Sequence, residues 1–162
     1  MGSRRNLAVP ALGVIVALLI GILALAQIVQ ASPSSQPKNI FGSWSVDAAT
    51  TTQSTQFPAL MTFTADGSVL ADEPPVPGET TGHGNWVQRP HGEVGFTFVA
   101  LYGDPTGVYA GKLKVVGKLH RDADKDTWSG PFKITVFGAD NQVAFEDTGT
   151  FKLTRIEVEL LD

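Results

Sequence analysis

Side chains able to do acid–base or ligand chemistry near neutral pH are sparse in this sequence, which has three histidines and no cysteine. The densest candidate is "TGHGNW", Thr81 to Trp86. Gly82 and Gly84 let the backbone pass close to a partner, and His83 between them can serve as base, acid or ligand. In an extended chain Asn85 shares the face of His83 and Trp86 takes the other. The same residues also make a plain strand start, with the glycines in a bulge and His83 half exposed. Asp147 is in phase with Phe145, Gly149 and Phe151, which points it inward. A buried carboxylate there needs a partner such as Tyr102, Tyr109 or His83 and acquires a shifted pKa. A bulge near Gly149 would turn it to solvent instead.

No metal or cofactor is expected. His91 and His120 stand apart from His83, and no pair has the i, i+2 or i, i+4 spacing of a zinc site. "DADKD" places Asp122, Asp124 and Asp126 like the first half of a calcium loop. Thr127 then stands where that loop requires glycine, and Lys133 where it requires a bidentate glutamate. An acidic hairpin tip is the simpler reading. The sequence shows no G-x-S-x-G elbow, P-loop, dinucleotide fingerprint or paired catalytic carboxylates.

The elements that position these residues are strands. Alternation of period two recurs, bounded by Gly, Asp, Asn and Pro, and no stretch after residue 38 has helical spacing. The expected strands are "IFGSWSV", "ALMTFT", "SVLA", "GHGNWVQR", "EVGFTFVALY", "VYAGKLKVVGKLH", "TWSGPFKITVFG" and "VAFEDTGTFKLTRIEVE". "DEPPVPGETT" is a loop, since its prolines lack ladder donors. Val94, Phe96, Phe98, Ala100 and Tyr102 share one face of the clearest strand. Tyr109, Gly111, Leu113, Val115, Gly117 and Leu119 form an apolar face opposite Lys112, Lys114 and Lys118. Phe132 and Phe145 join the aromatic set. The fold class is therefore all-β, an antiparallel up-and-down meander of 8–9 strands. Closure into a small barrel removes the sheet edges, with Gly111, Gly117, Gly130 and Gly149 at sharp bends. A two-sheet sandwich is the alternative.

Before the strands lies one N-terminal hydrophobic helix. Arg4 and Arg5 precede an uncharged run from Leu7 to Ala26, and "VQA" ends at Ala31. Residues 1–31 read either as a cleaved signal peptide or as a membrane anchor, and both place the rest outside the cytoplasm. "SRRNLA" also approximates a twin-arginine signal. Residues 32–38 are a Ser/Pro linker and 39–158 the β-domain. The twelve basic residues less Arg4 and Arg5 leave ten against sixteen acids, a formal charge of −6. That balance argues against nucleic acid and against an anionic membrane surface as partners. Without cysteine no disulfide supports the domain, so stability rests on the core.

Gly42-Ser43-Trp44 in the first strand and Arg155 in the last resemble the G-x-W element and terminal-strand arginine of the calycins, the barrels that include the lipocalins. "FTADGSVLADEPP" and "TGHGNWV" are also similar to segments of an uncharacterised group of exported bacterial proteins. The calycin resemblance implies that Gly42, Trp44 and Arg155 close the barrel, with the guanidinium over the indole. It also implies a lumen that holds one small apolar ligand or is filled. Ligand-binding candidates are His83, Asn85, Phe96, Phe98, Tyr102, Tyr109, Phe132 and Asp147. Three functions follow: a small-molecule binder, a structural or interaction module at the cell envelope, or a cofactor-free isomerase or cyclase. No sequence-local catalytic motif supports the last, so the balance falls on the non-enzymatic readings.

Overall fold

The computed structural model describes residues 39–74, 78–123 and 126–161. The expected signal or anchor at 1–31 and the linker at 32–38 lie outside the described residues. No helix among the described residues is long and apolar enough to cross a membrane.

Eight antiparallel strands follow one another around a closed barrel. They are β1 (Gly42–Thr50), β2 (Gln56–Phe63), β3 (Ser68–Asp72), β4 (Gly82–Gln88), β5 (Val94–Gly103), β6 (Tyr109–Arg121), β7 (Thr127–Gly138) and β8 (Val143–Arg155). A single 3-10 turn, Pro90–Gly92, joins β4 to β5. The sandwich alternative falls, because β1 pairs with β8 from Trp44↔Arg155 to Thr50↔Gly149. β2 begins three residues before the expected Ala59, running back through Pro58. β3 stops at Asp72 opposite Leu60, so the missing Pro58 N–H leaves no β3 acceptor waiting.

The turns are stapled by aspartates. Asp104 accepts from the Thr106 amide (2.8 Å), the Thr106 hydroxyl (2.6 Å) and the Val108 amide (3.0 Å). Asp122 takes the Thr127 and Ser129 hydroxyls, each at 2.8 Å. The acidic tip "DADKD" is thus turn chemistry in its Asp122 and, through Asp126 (below), a barrel clasp.

One end of the barrel is closed by large side chains. The Arg155 guanidinium lies 4.2 Å from the Trp44 ring centroid. It donates to the carbonyls of Phe41 (2.7 Å) and Asn39 (2.8 Å) and pairs with Asp126. The Trp44 indole N–H donates to Ile40 O at 2.8 Å, and Trp44 is fully buried. A buried cation is costly unless its donors are satisfied, and here carbonyls, a carboxylate and a ring face do so. Trp86 extends the plug, its indole N–H held by Thr64 O at 2.9 Å.

Above this plug sits an aromatic floor. Phe132 stacks on Phe151 at 4.0 Å between centroids, Phe151 on Phe96 at 6.1 Å and Phe96 on Phe98 at 6.2 Å. These rings lie against glycines: a Cβ on Gly117 would stand 2.4 Å from Phe96 Cζ. On Gly149 it would stand 2.6 Å from Phe132 Cζ.

Trp44→Ala should cost about 3–5 kcal/mol in urea unfolding, because it empties the plug and strips a face from Arg155. An unchanged unfolding midpoint would contradict the seam. Gly117→Ala should cost about 1–3 kcal/mol, and less in a Phe96→Leu background, since the clash is with that ring.

Candidate functional site

On β1, β4 and β5 inward residues shrink from the closed end to the open one, while β2, β6 and β7 keep Phe57, Leu113 and Ile134 at the cavity. β1 runs Trp44, Val46, Ala48, and β5 runs Phe96, Phe98, Ala100 toward the open end. β2, read the same way, passes Phe63, Met61 and Ala59, and β4 passes Trp86, Gly84 and Gly82. The taper leaves a cavity of about 210 Å³ above the Phe98–Phe151 floor. Its wall is largely apolar, built from Ala59, Met61, Ala100, Leu113, Val115 and Ile134. Because β3 is only five residues long, the wall is notched on that side.

Loop residues fill the notch. Glu73 follows β3, and the segment 78–80 continues the β4 pairing onto β5. Gly103 N donates to Gly78 O (2.9 Å), Thr80 N to Leu101 O (2.9 Å) and Leu101 N to Thr80 Oγ1 (3.0 Å). A bridge between Glu79 and Tyr102 holds the same segment. Gly78 has a φ of +84° with Gly103 against it, a conformation and a fit that favour glycine.

This geometry places two carboxyl-bearing residues, Glu73 and Glu79, in the wall of one cavity. Burial and then the charge of Glu79 raise Glu73 from 4.5 to about 7. Burial also raises Glu79, with the Glu73 hydrogen bond opposing it. Both carboxyls are thus pushed toward their protonated forms. Five residues separate Glu73 from Glu79, and neither was among the candidates the sequence offered.

The sequence-derived candidates disperse. Phe98 lines the cavity, while Phe96 and Phe132 are buried in the floor beneath it. His83 and Asn85 are on the outer face, His83 between Leu70 and Val99 in the sheet register. Tyr102 spends its hydroxyl on Phe137 O at 3.0 Å. Tyr109 is 48% exposed, because a register shift at Tyr102/Gly103 and the φ of +154° at Gly111 break the alternation there. Asp147 is buried, but its partners are backbone amides, Thr52 (3.0 Å) and Thr148 (2.7 Å), rather than Tyr102, Tyr109 or His83. Burial pushes its pKa up, and these amides with that of Gln53 together outweigh burial and hold it low. It ties the β1–β2 turn to β8. No cluster of three metal-ligating side chains occurs among the described residues.

A second depression, about 520 Å³, lies outside β1, β2 and β8 among Asp47, Gln56, Thr150 and Lys152. It is wider, but it is an open, half-polar groove without an enclosing apolar wall. Comparisons with family models, curated proteins and solved structures return no match for this chain.

The raised pKa of Glu73 has a definite sign. Its protonated form suits the folded state, so its contribution is complete below about 4.5 and is lost as pH rises to about 7. The lowered carboxylates, Asp66, Asp104, Asp122, Glu146 and Asp147, act below their ordinary values and leave this window clear. Partial exposure screens the effect to about 1 kcal/mol, so the thermal midpoint should fall by roughly 4 °C from pH 5 to 7.5. Glu73→Gln should flatten most of that slope. An equal slope in Glu73→Gln and Glu79→Gln would remove the pair from the account.

Proposed function

We propose that this protein is an exported, calycin-like carrier that holds a small, largely apolar ligand in the open end of its barrel. The observation that carries the reading is the tapered cavity, enclosed by apolar side chains above a closed aromatic floor. Its volume of about 210 Å³ lies below the roughly 300–1,000 Å³ of sites for drug-sized ligands. The guest is therefore compact, or it projects through the notch beside β3. Export is supported by the Arg4-Arg5 start, the apolar run that follows and the small residue at Ala31. Calycin kinship is supported by the G-x-W strand and the arginine of the last strand, together with the closed eight-strand meander.

The polar candidates read from the sequence do not assemble in the way a barrel isomerase needs. His83 and Asn85 face outward, and Asp147 is bound to amides. Binding without reaction is the function these contacts support.

A small solvatochromic dye should gain fluorescence with the purified domain, and Ala100→Phe should abolish the gain while leaving the circular dichroism spectrum unchanged. Dye uptake that ignores Ala100→Phe would move the ligand out of the barrel.

A further inference from the structure

We infer that the guest of this cavity is a small apolar amine, its hydrocarbon part against Ala59, Ala100 and Leu113 and its ammonium between the carboxyl groups of Glu73 and Glu79. The inference rests on the ligand-cavity reading and adds the chemical class. The apolar wall and the carboxyl pair come from different parts of the chain. The wall is set by the size of inward strand residues, and the pair by the loop that fills the notch left by short β3.

The ionisable groups lining the cavity are Asp72, Glu73 and Glu79, with no lysine, arginine or histidine among the lining residues. Tyr102, paired with Glu79 through the backbone, directs its hydroxyl to Phe137 O. The field at the mouth is therefore of one sign. Two half-buried carboxyl groups on one small cavity repel when both are ionised, and a proton or a bound cation relieves them. An ammonium offers three donors on a compact charge and can bond both carboxylates at once. A carboxylate guest would add a further negative charge to the same place. A divalent metal would gain nothing from the apolar wall, and no group of three suitable ligands occurs among the described residues.

The raised pKa of Glu73 makes binding depend on pH. Below about 7 an ammonium must displace the proton on Glu73, and above it both carboxylates are free to receive the cation. The pair then also selects among guests, because a neutral analogue leaves the two charges facing each other without relief.

Calorimetric titration of the purified domain with 2-phenylethylamine, 2-phenylethanol and 3-phenylpropanoate at pH 5.5 and 8 tests this. The amine should bind most tightly, at least about tenfold better at pH 8 than at pH 5.5. Glu73→Gln should weaken it about tenfold at pH 8 and erase its advantage over 2-phenylethanol. The comparison of the three ligands on the unmodified protein stands even if a variant fails to fold. Equal binding of amine and alcohol at pH 8, or preference for the propanoate, overturns the amine while the cavity reading survives. If none of the three ligands binds and the dye is also refused, the cavity reading falls with it.

Discussion

The structure depends on one buried cation. Arg155 brings a full charge to the closed end of the barrel, where it meets two distant stretches of chain. Trp44 is in β1, Asn39 and Phe41 lie just before it, and Asp126 belongs to the turn before β7. A guanidinium left unpaired there would be very costly, so its satisfaction fixes the first strand against the last. Closure of the sheet follows from that register, and with closure every strand has two neighbours. A barrel sealed at one end by Trp44, Trp86 and Arg155 has only its other end available for a guest.

The second constraint is the taper. Side chains of tryptophan and phenylalanine size fill the sealed half, and stacked phenylalanines complete the floor. On β1, β4 and β5 alanine and glycine then occupy the inward positions near the rim. Such small residues cannot meet across a lumen sized for eight strands, so a void is left. The short β3 opens that void sideways, and the loop that covers the gap carries Glu73 and Glu79 to its wall. Binding chemistry is thus placed by a strand that ends early.

Much of this was legible in the sequence. Period-two alternation located the strands, Asp-rich turns separated them, and Trp44 with Arg155 indicated which strands meet. The taper was also written there, in Trp44-Val46-Ala48 and Phe96-Phe98-Ala100, although hydrophobic alternation alone does not weigh side-chain size. Tyr109 escaped because a bulge shifts phase without leaving a mark in the polarity pattern. His83 drew notice by its type, yet its face of β4 is the solvent side. The carboxyl pair was illegible for a different reason. Glu73 and Glu79 flank a proline-rich stretch, and no periodicity relates residues across it.

The central claim is that Glu73 and Glu79 lie together at the wall of a ligand cavity, where burial and the neighbouring charge raise the Glu73 pKa. Carbon-13 NMR of the glutamate carboxyl groups, titrated with pH in the free protein and with 2-phenylethylamine, reads that claim directly. The account predicts a Glu73 carboxyl that titrates near 7 in the free protein and moves to lower pH when the amine is added. A Glu73 that titrates at its ordinary value and ignores the amine would contradict it.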